Sequence, residues 1–358
     1  MYFCASRKPA RLPGFRIPDR AAMDTPAMNP LRIAVLIPCY NEAATIGNVV
    51  RDFRAALPGA AVHVYDNNSS DDTRAIARAA GAIVRTERHQ GKGNVVRRMF
   101  SDIDADVYVM VDGDDTYDAF AAPSLIRHLV DESLDMVNGR RITEEVAAYR
   151  AGHRLGNRML TGLVCWFFGE QFKDMLSGFR VFSRRFVKSF PALSQGFEIE
   201  TELTVHALNL RMPVGEVDTA YRSRPEGSVS KLNTYRDGIR ILKTIMILVK
   251  EEMPLQFFSC VGAVLALISL ALGIPVVEEF LQTGLVPRLP TAVLSVSIMI
   301  LGFLSFASGL ILDTVSLGRR ELKRLQYLQV ALVDGEVPGH ERTPVAPLQP
   351  AGPVASAA

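Results

Sequence analysis

Two uncharged apolar runs near the C-terminus constrain this chain more than any other feature. Leu255–Val277 covers 23 residues and Thr291–Leu312 covers 22, with no Asp, Glu, Lys or Arg in either. As a helix rising ~1.5 Å per residue, each is long enough to cross a hydrocarbon core of roughly 30 Å. The alternative is a pair of buried helices in a large soluble domain, where two such runs in succession are uncommon. The connector Glu278–Pro290 holds one basic residue, Arg288, whereas the outer flanks carry Arg236, Arg240, Lys243 and Lys250 on one side and Arg319, Arg320, Lys323 and Arg324 on the other. The positive-inside bias predicts a multi-pass hairpin over 254–315 with both chain ends cytoplasmic. The domain before it would face the cytoplasm from an inner, or equivalent, membrane.

Flanking segments fit that plan. Residues 233–253 alternate Arg and Lys with Ile, Leu and Met, as an amphipathic helix at a bilayer surface would; a surface helix of the soluble domain shows the same spacing. Residues 316–358 read as a cytoplasmic basic helix followed by a disordered Pro/Ala tail. Residues 1–30 are rich in Arg, Pro and Ala, lack the apolar core of a signal peptide, and read as a disordered extension; Met23 and Met28 offer later starts. The net charge of +2 gives no field that would point to nucleic acid. The four cysteines, at 4, 39, 165 and 260, form no CxxC, and the six histidines form no HExxH. A zinc site or a disulfide framework is not expected. Oligomeric state stays open, with a homo-oligomer among the options.

Residues 31–232 carry the chemistry. Arg32–Pro38 is a β-branched apolar run, a buried strand, and a helix opens near Thr45. Ala61–Tyr65 is a second strand, Arg74–Ala80 a helix, Ala82–Thr86 a third strand, and a helix follows the GKG at 91–93. Val107–Val111 is a further strand. Strands alternating with helices predict an α/β fold with a mostly parallel sheet, whose ligands bind beyond the carboxyl ends of the strands. Three polar clusters follow the first, second and fourth strands, so they would share one edge.

After the fourth strand, Asp112, Asp114 and Asp115 place three carboxylates within four residues. Such acids repel one another, and a hard cation such as Mg2+ or Mn2+ stabilises them; a solvated acidic turn is the bland alternative. Asp66 stands at the second strand end, either reading a base or ribose or serving as a turn residue, with Ser70 or Asp71 as helix cap. Lys92, between two glycines, could reach a diphosphate, but the rest of a P-loop is missing. Arg140 and Arg141 follow the apolar LDMV. The stretch RSRPEGSVSK is composed to suit phosphate, or is a basic surface loop. Asp174 reads as an active-site acid or a helix cap. GFEIETEL at 196–203 starts a helix in which Glu198 and Glu200 are structural.

The ordered series IPCYNEAATI (37–46), VYDNNSSDDT (64–73), GKGN (91–94), VDGDDTYD (111–118), VNGRR (137–141), DMLSGFRVFSR (174–184), GFEIETEL (196–203) and YRSRPEGSVSKL (221–232) resembles the family 2 glycosyltransferases of GT-A fold. Within them it resembles the dolichyl- or polyprenyl-phosphate hexose synthases. The likeness covers about residues 31–250. It implies a Rossmann-like, mostly parallel catalytic domain. Pro38, Tyr40, Glu42, Asp66, Lys92 and Asp112 would bind the donor nucleotide. Asp112 and Asp114 would bind the metal, with Asp114 and Asp174 catalytic. Arg141, Arg154, Arg224, Ser230 and Lys231 would hold the acceptor and donor phosphates. Two positions depart from the pattern: the second acid of the family's VDDGS is Asn67 here, and Thr116 stands where mannosyl synthases often have Gln.

The reaction the resemblance implies is inverting, metal-dependent transfer of a hexose from UDP- or GDP-hexose to a polyprenyl phosphate. Transfer to a hydroxyl of a glycan or glycolipid is the alternative, and a non-catalytic scaffold a second.

Overall fold

The computed structural model describes residues 30–142, 162, 164, 172–225 and 234–333. The expectations for the N-terminal extension and the Pro/Ala tail, and the candidates Arg154, Ser230 and Lys231, fall outside these residues.

Among the described residues, the domain before the apolar runs is a seven-stranded sheet with helices on both faces. In chain order it runs β1 (Ile33–Cys39), α1 (Ile46–Ala56), β2 (Ala61–Asp66), α2 (Thr73–Ala79), β3 (Ile83–Thr86), α3 (Lys92–Asp102), β4 (Val107–Met110), α4 (Ala122–Asp131), β5 (Met136–Ile142), β6 (Arg180–Ser183), α5 (Arg184–Ser189), α6 (Ile199–Asn209) and β7 (Val214–Ala220). The strand order is β3-β2-β1-β4-β6-β5-β7. All pairings are parallel except those of β6, which runs antiparallel to β4 and β5. The central strands are apolar on both faces: β4 is wholly buried and β1 is buried at every residue but Pro38. That continuous run is what a parallel strand covered on both sides requires. Phe53, Val109 and Phe179 centre the core on the α1/α4 face, and Phe100, Phe182 and Phe186 the core on the α3/α5/α6 face.

The sheet departs from simple alternation in two places. β6 is inserted between β4 and β5, and because it is antiparallel its first residue, Arg180, pairs with Met110 at the carboxyl end of β4. The loop before it, Asp174–Phe179, is thereby delivered to the chemically loaded edge. Arg140 and Arg141 lie within β5 rather than beyond it, since β5 keeps pairing with β7 through Ile142↔Ala220.

Three helices follow. α7 (Thr234–Glu252) buries Ile241, Ile245 and Val249, one turn apart, in the domain core. Ile239, Leu242 and Met246 face outward. α8 (Pro254–Thr283) and α9 (Leu289–Leu328) form an antiparallel hairpin. Both are long and apolar enough to cross a membrane, and only 17% of each apolar window is buried. A soluble core helix would be covered; these present their apolar sides outward, as spans in lipid do. Small residues form the seam. A side chain on Gly262 would meet the Gly302 carbonyl at 2.9 Å, and Ser269 and Ser295 donate to each other's carbonyls at 2.8 and 2.9 Å. The basic segment expected as a separate helix after residue 316 is a continuation of α9.

Candidate active site

The first two polar clusters are stitched together by side chains. The backbone N–H of Asn41 donates to Ser69 (2.8 Å), that of Glu42 to Thr73 (2.9 Å) and that of Ala43 to Asp71 (3.1 Å). Asp71 also accepts from the Thr73 N–H at 3.1 Å, but the N-cap of α2 is Asp72 rather than the Ser70 or Asp71 expected. Asn67 binds the next loop. Its amide donates to the carbonyls of Glu87 (3.1 Å) and His89 (2.8 Å), and its oxygen accepts from the Gly91 N–H at 2.7 Å. A carboxylate could accept the third bond but not donate the first two, which is a physical reason for Asn where the family pattern has an acid.

These loops wall a cleft of about 400 Å³ beyond the carboxyl ends of β1 and β4, where the sheet order reverses direction between β2 and β4. Pro38, Tyr40, Glu42, Lys92, Asp112, Asp114, Arg141 and Arg224 all line it. The structure thus gathers eight of the sequence candidates in one place.

The acids are balanced by cations of the chain itself. Lys92 is buried between Asp112 and Glu200, with Nζ 2.5 Å from an oxygen of each. These two carboxylates hold the lysine's pKa above its ordinary value although burial alone would lower it. Arg224 lies 2.6 Å from Asp114, and the Thr116 hydroxyl donates to the other oxygen of Asp114 at 2.6 Å. Thr116 therefore supports the acid instead of projecting as a ligand. Burial, and then the charge of Asp112, push the Asp114 carboxyl up from the usual carboxylate range. Two neighbouring hard oxygen donors, with Asp114 destabilised as a charge by burial and by Asp112, fit a divalent cation, which would relieve their repulsion. Among the described residues no group of three or more ligating side chains is assembled. The protein's share would be Asp112 and Asp114, and phosphate oxygens or water would complete the shell. Close approach is built in: a side chain on Gly178 would meet Asp112 Oδ2 at 2.3 Å.

Asp174 is 5% exposed and forms a two-pronged pair with Arg141, Nε–Oδ2 2.7 Å and Nη2–Oδ1 2.8 Å. It lies behind the cleft wall, and Arg141 projects into the cleft. Tyr221 lies under the Arg141 guanidinium, 5.5 Å from ring centre. Tyr117 pairs with Tyr221 in an isolated bridge and accepts the Gly178 N–H at 2.8 Å. Through these contacts the loops after β4, β5 and β7 close on one another and bring Arg224 to Asp114. Asp66 is also set back. It is fully buried, accepts from the Ser69 N–H at 3.2 Å and faces Arg74 at 3.7 Å. Its neighbour Asn67 lines the cleft in its place.

Sequence reasoning missed Glu200 as a site residue, together with Asn67, Tyr117, Tyr221 and Arg240 on the cleft wall. Glu200 carried a signal only in hindsight: it is the first of two buried acids, with Glu202, in the first turn of α6, and its partner Lys92 is 108 residues away. Arg180, in the same DMLSGFR stretch as Asp174, is fully buried. It donates to the carbonyls of Ser177 and Met175 and to Thr204 (2.9 Å), so it holds the loop that carries Asp174 and Gly178.

Comparison with known proteins agrees with this geometry. The family model described as Glycosyl transferase family 2 matches residues 34–190. Glycosyltransferase AglJ of Haloferax volcanii is 34% identical over 303 residues, which is 84% of this chain and 99% of that protein. The dolichyl-phosphate hexose transferase of the same organism is 30% identical over 220 residues, 62% of this chain and 95% of that one. In fold, the chain resembles glucosyl-3-phosphoglycerate synthase from Mycobacterium tuberculosis, at a TM-score of 0.51 and 22% identity over 61% of this chain and 79% of that one. The strands that carry the acids lie inside the matched region, and the likeness to AglJ extends over 84% of the chain: this chain belongs to glycosyl transferase family 2.

Proposed function

We propose that this glycosyltransferase moves a hexose from a UDP- or GDP-hexose to the phosphate of a membrane polyprenyl lipid, with inversion, using Mg2+ or Mn2+. The observation that carries the reading is a shared wall. Asp112, Asp114, Lys92 and Arg224 line the same cleft as Arg240 and Ile241, and those two residues lie on α7, which leads into the first apolar span. A site for a diphosphate and a route to the bilayer meet there. A relative named as a dolichyl-phosphate hexose transferase supports the acceptor class.

Each residue has a physical task in this reading. Pro38, Tyr40 and Glu42 border the donor's nucleotide, with Asp66 and Asn67 fixing the loop beneath. Asp112 and Asp114 would hold the divalent cation, which when bound supplies charge neutralisation to the departing diphosphate. Lys92 and Arg224 add positive charge at the same end of the cleft. An oxygen of the acceptor phosphate forms the bond to the anomeric carbon as the bond to the diphosphate oxygen breaks, and that electron pair leaves on the nucleoside diphosphate. A phosphate monoester with a second pKa of about 6 is already ionised at neutral pH, so it needs no base. Asp174 matches that requirement: its carboxylate is committed to Arg141, which it aims at the cleft. This favours a phosphate over a hydroxyl acceptor. The cell-level reading is a protein held in the inner, or an equivalent, membrane with its cleft on the cytoplasmic side.

The M. tuberculosis synthase of the same fold was crystallised with Mn2+ and UDP-glucose, which makes Mn2+ the first ion to test. Membranes carrying the protein should convert polyprenyl phosphate to a glycosylated lipid, identified by mass, with one or more members of a UDP- and GDP-hexose panel. Asp114→Asn should lower that turnover on the order of a hundred- to a thousandfold. It should leave the thermal midpoint within a few degrees, because one of two crowded charges is removed. Undiminished turnover in the variant would remove the metal role.

A further inference from the structure

We infer that the last turns of α9 are a strut that fixes the catalytic domain on the membrane helices, with Tyr327 and Lys323 as positioning residues for a membrane-bound acceptor. The inference rests on the acceptor class proposed above.

α9 does not stop where its apolar run stops at Leu312; it continues unbroken to Leu328. That continuation is attached to the domain at two separate places. The first is the C-terminal end of α7. Arg319 and Arg320 donate to the carbonyls of Glu251 and Glu252, both at 3.0 Å, and Lys323 pairs with the Glu252 carboxylate at 2.9 Å. The last carbonyls of a helix lack intrahelical partners and carry its partial negative charge, so cations belong there. Glu252 also accepts from Asn209 of α6, at 2.5 Å.

The second place is Asp135, in the turn before β5. This carboxylate is fully buried. It accepts from Tyr327 of α9 at 2.8 Å, from Ser183 of β6 at 2.7 Å and from Arg185 of α5, through Nη2 at 3.0 Å and through Nε. The Arg185 guanidinium also lies over the Tyr327 ring at 4.8 Å. One buried charge thus gathers donors from three elements, and the α9 donor is 192 residues away in the chain. Such a network is satisfied in full only when α9 is docked. Lys323 and Tyr327 are one turn apart, so the two attachments lie on one side of the helix.

A single attachment would act as a pivot; two of them remove the rotation. α7, which lines the cleft at Arg240 and Ile241, is held at its far end by the first attachment. The cleft therefore stands at a set height and tilt relative to the spans. An acceptor whose phosphate is confined to the bilayer surface depends on that placement, whereas one free in water does not.

The test uses the full chain in phospholipid vesicles with two probes: a long-chain polyprenyl phosphate in the bilayer and the same phosphate on a short, water-soluble prenyl chain. In a Lys323→Ala/Tyr327→Ala variant, kcat/KM for the long-chain acceptor should fall about tenfold or more, while that for the soluble acceptor stays within about twofold. Tyr327→Phe keeps the ring over Arg185 and should fall between. Equal loss on both acceptors, or no loss on either, overturns the strut. Absence of transfer by the unaltered protein on both acceptors would instead strike the proposed function. In that event hydrogen exchange decides the strut: α5 and the last turns of α9 must exchange faster in the double variant, and unchanged protection refutes it.

Discussion

At the scale of single residues, the site is defined by which charges are matched and which hydrogen bonds only one side chain can make. Asn67 is the clearest case. Its amide satisfies two backbone carbonyls and its oxygen one N–H, all on the loop that leads into Lys92. Asn67→Asp keeps the acceptor and loses both donations, leaving two carbonyls facing a carboxylate. A buried polar group left without its partner costs ~1–3 kcal/mol. The loop should loosen, and nucleotide affinity, read by titration with UDP and GDP in Mn2+, should weaken about tenfold. Unchanged affinity would mean that Asn67 does not position Lys92. Asp112, Asp114 and Lys92 were legible as a set, since acids after an apolar strand and a lysine between glycines have few other uses together. The partners were not. Lys92–Glu200 and Asp114–Arg224 join residues far apart in sequence, and pattern alone cannot say which cation finds which acid. Asp174 was legible as an important acid, but its two-pronged engagement with Arg141 is a tertiary fact, and in the proposed reaction it makes Asp174 the group that aims that guanidinium.

At the scale of elements, β1 to β4 were readable from apolar runs and turn chemistry to within a residue or two at each end, as were the starts of α1 to α3; β5 runs on past its apolar stretch to Ile142, and α4 and β7 went unread. The antiparallel β6 was not readable, because a four-residue, wholly buried run has no periodicity to mark it as a strand, and its direction is set only by the strands it meets. Its direction matters: it turns the Asp174–Phe179 loop back onto Asp112. Gly178 shows how tightly, since an added methyl would sit 2.3 Å from Asp112 Oδ2. Gly178→Ala should therefore push the Asp112 carboxylate aside. Transfer should fall about ten- to a hundredfold, through a higher Mn2+ requirement, since displacements of ~1 Å at a reacting centre carry costs of that order. The thermal midpoint should move little. A variant with normal Mn2+ dependence would show that the loop yields and that Asp112 does not depend on it.

At the scale of the whole molecule, the hairpin was legible from length and charge bias, but the division of α9 into a span and a strut was not. The basic residues after Leu312 read equally as a positive-inside flank. The fold gives several of them partners: Arg319 and Arg320 close the end of α7, and Lys323 pairs with Glu252, while Tyr327 completes the bonds of a buried carboxylate. These contacts carry stability as well as position. A hydrogen bond to a buried charge contributes ~1.5–3 kcal/mol, a guanidinium over an aromatic ring ~0.5–1, and the partly exposed pair of Lys323 with Glu252 little. A chain ending at Leu317 keeps both apolar runs and loses the whole strut. In one detergent its catalytic domain should unfold about 5–10 °C below the full chain, the shift that ~2–4 kcal/mol produces in a domain of this size. It should still sediment with membranes when expressed, because α8 and the apolar part of α9 remain. Equal midpoints would show that α9 leans on the domain without holding it; a soluble product would show that the basic turns, rather than the apolar runs, retain the protein at the membrane.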